Sequence, residues 1–294
     1  MKVWLAARFA AAVLMVALSA QPASADELRS GGKLLLTGGV TSVEGAAGGG
    51  LATWAVIAGD ETEAGVGGSA HATYVALPDF DLTSFGGAVG FRNRIELSYT
   101  HQSFDTRDAG GALGLGKGFT FKQDVFGAKV RLVGDAVYDQ DRMLPQISVG
   151  VQHKRANQGA IIAAVGGKES RGTDFYVAAT KVILSKSMVV NGTVRFTKAN
   201  QLGLLGFGGD RNDKYKPQFE GSAGVLLSRR ILVGAEYRTK TDNLGFAQED
   251  DAYDLFAAWA VARHVRLTAA YVDLGDIATV KRQRGAFLSI QGNF

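Results

Sequence analysis

Four histidines, His71, His101, His153 and His264, are the side chains best suited to acid–base or metal chemistry, and their spacing supports neither. Each stands far from the next, with no second ligand type at the short intervals that metal sites use. Ser69 and His71 would share one face of a strand, but the oriented base and acid of nucleophilic catalysis do not accompany them. Ser222 has Glu220 two positions before it, where a nucleophile elbow needs Gly. The run Gly111-Ala112-Leu113-Gly114-Leu115-Gly116-Lys117-Gly118 follows a phosphate loop as far as the lysine. It then puts Gly118 where Ser or Thr must hold magnesium, and a strand pattern follows instead of a helix. Glu249-Asp250-Asp251, with Asp254 nearby, has the oxygens to collect calcium or to bridge lipopolysaccharide through divalent ions. A solvated loop tip explains it more simply, and Asp210 and Asp213 read the same way beside Arg211 and Lys214. The expectation is no catalytic, cofactor-binding or metal-binding residue, and no enzyme.

Chemistry absent from motifs can still reside in a surface, so the elements that carry the charges matter. Segments of about ten residues alternate in polarity from Leu51 onward, separated in turn by very short and much longer links. In 84–91 and 95–104, Phe85, Val89, Phe91, Ile95, Leu97 and Tyr99 fall on one side, and Glu96, Ser98 and Thr100 on the other, with only Arg92-Asn93-Arg94 between the two segments. The pattern returns at 219–227 and 231–239, and again around Ala262-Arg263-His264. Further strands are predicted at 69–77, 119–132, 146–154, 173–183 and 188–197. Short links on one side and long links rich in Gly, Asp, Asn and Lys on the other are the asymmetry of outer-membrane barrels.

The two ends of the chain agree with this. Residues 1–25 carry Lys2 and Arg8, an apolar run over 9–18, then Ala23-Ser24-Ala25, which predicts an export signal cut before Asp26. The run is too short for a spanning helix, which needs roughly 20 residues. At the other end Leu288, Ile290, Gly292 and Phe294 alternate with Ser289, Gln291 and Asn293. This looks like the terminal strand of bacterial outer-membrane barrels, in which Leu288, Ile290 and Phe294 would be the signal read by the barrel-insertion machinery. No other stretch can span as a helix, and only helices and closed barrels satisfy their backbone inside lipid.

Composition is compatible: 39 Gly, 4 Pro and no Cys suit strands joined by turns without disulfides. The formal charge of +4 includes Lys2 and Arg8, so the mature chain is near neutral and its basic residues are scattered. That balance argues against nucleic acid as a partner.

The fold class expected is therefore all-β, a transmembrane antiparallel up-and-down barrel. Thirteen strands counted from Leu51, plus one within 33–43 to make the number even, give fourteen. Twelve results instead if 31–50 folds into the lumen, for which the run Gly45-Ala46-Ala47-Gly48-Gly49-Gly50 is a poor strand and a plausible hinge. The expected organisation is a cleaved signal (1–25), a Gly-rich segment that is first strand or lumen plug (26–50), and the barrel (51–294). Phasing puts Lys129, Arg131, Arg195, Arg238 and Arg266 on the lumen side, opposed by Glu96, Glu220, Glu236 and Asp254. Inward side chains set selectivity in such channels, but mixed signs can equally pair and fill the interior.

Several long strings are familiar, among them Lys33-Leu34-Leu35-Leu36-Thr37-Gly38-Gly39-Val40, Gln123-Asp124-Val125-Phe126-Gly127-Ala128-Lys129-Val130-Arg131 and Ala270-Tyr271-Val272-Asp273-Leu274-Gly275. They resemble an uncharacterised bacterial family, known only as a domain of unknown function and treated as outer-membrane barrels. The resemblance implies location and architecture and carries over no functional residue. The expected function is a porin-like channel for passive or facilitated passage of small solutes whose identity the residues do not reveal. The alternatives are a non-conducting structural or surface-binding barrel and a plugged transporter of apolar compounds. Expected partners are outer-membrane lipid, lipopolysaccharide and the insertion machinery.

Overall fold

Twelve antiparallel strands close into one barrel. The computed structural model describes residues 33–61 and 65–294, so the predicted export signal lies outside the described residues. The wall strands are β3 (Val66–Ala76), β4 (Asp81–Phe91), β5 (Ile95–Asp105), β6 (Thr120–Val133), β7 (Gln146–Ala156) and β8 (Arg171–Ile183). The remaining six are β9 (Met188–Thr197), β10 (Lys216–Ser228), β11 (Ile231–Arg238), β12 (Ala252–Ala262), β13 (Val265–Asp273) and β14 (Arg284–Asn293). Each pairs with its sequence neighbour, and β14 returns to β3 from Ala286↔Ala76 to Asn293↔Ser69, so no edge is left unpaired.

Period-two alternation is what permits this wall. Along β5, Ile95, Leu97 and Tyr99 point outward and are exposed, while Glu96, Ser98, Thr100, Gln102 and Phe104 are buried inside. Phe126, Phe219, Leu255, Trp259, Tyr271 and Leu288 continue the exposed apolar belt. An apolar exterior around a fully hydrogen-bonded backbone is the arrangement that lipid requires.

The larger strand count does not hold. Residues 33–43 and 51–59, expected as wall strands, lie in the lumen, and the wall starts at Val66, not Leu51. Ala52, Ala55 and Ile57 have no exposed surface, whereas a wall strand must turn alternate side chains to lipid. Two short strands inside this segment, β1 (Val40–Thr41) and β2 (Ala47–Gly48), pair with each other, and Gly48 also bridges Thr53, all within the segment. The chain doubles back between them in a turn over 42–46, where the Ser42 N–H donates to the Ala46 carbonyl at 3.0 Å and Gly45 takes a φ of 90°.

Links follow the predicted asymmetry. One end carries the short turns 92–94, 184–187, 229–230 and 263–264 together with 134–145. The other carries 77–80, 106–119, 157–170, 198–215, 239–251 and 274–283, with the short helices α1 (Ala109–Ala112) and α2 (Gly159–Ala164) in two of them. The inner wall is layered to match. Charged groups occupy its middle, and near the long-link end Phe80, Leu82, Phe104, Phe121 and Phe287 join plug residue Val43 in one apolar cluster.

Candidate functional site

An irregular backbone in the middle of a barrel cannot be solvated by lipid or by bulk water, so its N–H and C=O groups need partners. Residues 33–61 obtain them from the wall's inward side chains. Glu236 accepts from the Leu51 N–H at 2.7 Å and from Ser222 Oγ at 2.6 Å. Glu220 accepts the Thr53 N–H at 2.7 Å, and Glu96 accepts the Ala58 N–H at 2.8 Å. Lys129 Nζ donates to the Val56 carbonyl at 2.8 Å while pairing with Glu96 at 3.1 Å. Ala55 is held from both sides: its carbonyl accepts from Gln146 Nε2 at 2.6 Å, and its N–H donates to Thr180 Oγ1 at 2.8 Å.

The strongest fastening is ionic. Plug residue Glu44 sits among Lys154 on β7, Arg195 on β9 and Arg238 on β11. It pairs with Lys154, with Arg238 at 2.8 Å and with Arg195 at 3.7 Å. Asp174 supports Lys154 at 2.7 Å, and Glu220 holds Arg195 Nε at 2.5 Å. Nearer the short-link end Arg266 pairs with plug residue Asp60. All of these groups are buried. Charges removed from water are tolerable only when matched in this way.

All nine residues phased to the lumen do point inward. Eight of them line the plug: Glu96, Lys129, Arg195, Glu220, Glu236 and Arg238 touch it or its ion pairs, Arg266 holds Asp60, and Asp254 lies beside Gly50. Arg131 stands apart and pairs with Asp135 in the 134–145 link at 3.0 Å. Sequence reasoning missed Glu44, Asp60, Lys154 and Asp174. Carrying the period of β7 to its end would have placed Lys154 inside with Gln152. Nothing local marks Glu44 as the counter-ion for three distant strands.

Two carboxylates are poorly matched. Asp254 lies directly across from Glu236 in register, both inward, and its Oδ1 has no hydrogen-bond partner. Both carboxylate oxygens of Glu61 also lack hydrogen bonds, with Lys33 Nζ at 3.6 Å. Gly50 passes beside Asp254 and Glu236, where a Cβ would lie 3.6 Å from an oxygen of each.

In the acidic loop group Asp250 is exposed, as a solvated tip would have it, but Glu249 is not. Glu249 is buried, and both its oxygens accept the Gln201 N–H at 2.9 Å. Burial pushes its carboxyl up to about 7, against the opposing pull of Lys240 and the Gln201 N–H, with Asp242 adding to the rise. A carboxyl raised above its ordinary value of 4.5 contributes stability below that pH and loses it as pH rises through about 7. Docking of the 239–251 link onto 198–215 is therefore expected to weaken between pH 4.5 and 7. The melting temperature of wild type should fall below that of Glu249→Gln as pH goes from about 5 to about 8. A gap that does not change with pH would contradict this.

The histidines stay separate. His71 is buried with Ser84 Oγ 3.4 Å from Nε2, His101 meets Asp124 on the outer face at 2.8 Å, His153 meets Thr173, and His264 bonds Asn293 in the β12–β13 turn. Among the described residues no group of three His, Cys, Asp or Glu is arranged to hold a metal. Leu288 and Phe294 face outward and are exposed, Ile290 is half-buried, and the Phe294 carbonyl accepts from the Gly68 and Asp60 N–H groups.

A closed transmembrane barrel whose lumen holds its own N-terminal segment is the class this geometry defines. The family described as "Protein of unknown function (DUF3034)" matches residues 37–291, and the chain belongs to it. No curated protein matches. Among solved structures the chain is similar to the KdgM porin, with 9% identity and a TM-score of 0.49 over 77% of this chain and 99% of that one. It is also similar to the COG4313 outer membrane channel from Pseudomonas putida F1, with 12% identity and a TM-score of 0.47 over 78% and 95%. A third likeness is to outer membrane phospholipase A from Escherichia coli, with 10% identity and a TM-score of 0.42 over 76% and 92%. None of the three lends its activity to this chain.

Proposed function

We propose that this protein is an outer-membrane channel for small solutes, held shut in the described conformation by residues 33–61. One observation carries the reading. Backbone-to-backbone bonds from 33–59 stay within the segment, and Asp60 alone reaches the wall, at the Phe294 carbonyl. The rest of its fastening is by side chains: polar contacts and ion pairs that water can replace, and packing of Leu36, Val40, Trp54 and Val56 against Val182, Val189, Leu232 and Phe256, none of which requires the sheet to open on release. Were the segment permanent filler, extending the ladder of the wall would satisfy its backbone more cheaply than these buried charges do.

Residence in the outer membrane sets the apolar belt against lipid and the long links against lipopolysaccharide. Export by residues 1–25, and insertion by machinery that reads Leu288, Ile290 and Phe294, belong to the same proposal. The protein works as a conduit, not as an enzyme. Purified protein in planar bilayers should conduct little, and deletion of 34–58 should produce steady ionic current. Silence in both would favour a structural barrel. Full current in the intact protein would show that the segment does not close it.

A further inference from the structure

The long-link end holds a partly open cavity of about 250 Å³ whose wall is almost wholly apolar. Every one of the six long-side links sends a hydrophobic side chain to it: Phe80, Leu115, Ile161, Leu204, Phe246 and Ile277. Links at a barrel mouth meet water, and their ordinary composition is polar. Convergence of six separate links on one apolar space is not what closing the mouth alone requires, because side chains could have filled it. Interiors pack to crystal density, and an engineered apolar cavity of about 150 Å³ stays dry and takes up benzene. The space here is larger.

Polar groups at its wall are already occupied. Lys240 Nζ donates to the Leu274 carbonyl at 2.8 Å, Thr106 Oγ1 to that of Phe119 at 2.8 Å, and Gln201 Nε2 to that of Asp276 at 3.3 Å. A ligand with a charged or strongly polar head would have to break these bonds. The cavity also adjoins the plug, since Val43 belongs to the apolar cluster that includes Phe80, Phe104, Phe121, Leu204 and Ile277. The Val43 carbonyl is fastened by Ser84 Oγ at 2.9 Å and Gln102 Nε2 at 2.6 Å.

We infer that this mouth is a binding site for an uncharged apolar molecule about the size of a two-ring aromatic hydrocarbon, seated directly above the plug. The inference names the cargo of the proposed channel and rests on that reading for transport, whereas binding stands or falls separately. The probe is N-phenyl-1-naphthylamine with purified full-length protein in detergent. Expected is a saturable rise in emission at one probe per chain, displaced by naphthalene and not by sucrose. Ala252→Phe and Leu115→Trp, which fill the space, should each weaken binding at least tenfold while circular dichroism keeps the wild-type strand signal.

Emission that grows linearly with probe, as micelle partitioning alone gives, would overturn the site. So would undiminished binding in both filled variants. If a variant fails to fold, displacement from wild type by naphthalene decides the matter. Binding without current after deletion of 34–58 would sink the channel and keep the site, and current without binding would do the reverse.

Discussion

Glu44→Ala is expected to free the N-terminal segment and turn a silent barrel into a conducting one. The substitution leaves Lys154, Arg195 and Arg238 facing one another with only Asp174 and Glu220 to balance them. Breaking a buried ion pair by removing one partner costs about 3–5 kcal/mol. Lys154, Arg195 and Arg238 belong to the wall, which twelve strand pairings hold, so the cost falls on the seating of the segment. At about 1.4 kcal/mol per factor of ten, the unseated population rises roughly a hundredfold or more. Single-channel recording reads this as open probability, and hydrogen exchange of residues 40–58 should accelerate in parallel. Glu44→Asp should fall between. Unchanged current together with unchanged exchange would show that the ion cluster does not retain the segment.

Gly48→Val is expected to do the same by shape. A Cβ at Gly48 would lie 2.1 Å from the Ala52 carbonyl oxygen and 3.2 Å from Thr53 Cα. Both are backbone atoms of the segment itself, so no side-chain rotation relieves the clash. Gly48 also pairs with Val40 and bridges Thr53, and the doubled-back chain cannot close around a branched side chain there. Current should appear while the strand signal in circular dichroism and the melting of the wall remain near wild type. Gly111→Ala is the matched control, because a Cβ at Gly111 meets nothing within 4 Å. A Gly48→Val protein as silent as that control would count against a tightly fitted plug.

Wall strands were legible because lipid on one side and a packed lumen on the other impose a period of two, which Ile95 to Thr100 displays. The alternation after Gly285 made β14 legible as a wall strand, but its closing partner was expected within 33–43 and is β3. The segment at 51–59 was not legible as plug. Leu51, Ala52, Trp54, Ala55, Val56 and Ile57 are as apolar as a buried strand, and a run buried on every side looks the same whether sheet or lumen surrounds it. The parity argument then called for a fourteenth strand to accompany a thirteenth that does not exist. The charges phased inward are buried in the structure, and the partners they meet there were hidden from the sequence. Leu51, Thr53 and Ala58 bind them through backbone N–H groups, which every residue carries and no sequence pattern announces. The apolar mouth was hidden for a related reason, because Leu115, Ile161 and Phe246 are each unremarkable within a polar link and gain meaning only by meeting.

The segment begins and ends at the same mouth, where the Lys33 N–H donates to the Asp60 carbonyl at 3.3 Å and the Asp60 N–H to Phe294. Its far tip, Val43 and Glu44, reaches the level of Ser84 and Lys154. A strand threaded through the lumen would have to drag its whole length past the constriction before leaving. This one is a returning loop, so tension applied from the short-link side peels its contacts rung by rung instead of shearing them together. Peeling needs far less force for the same total energy, which would let a modest mechanical pull from the inner compartment uncork the barrel while the lipid-facing shell stays untouched.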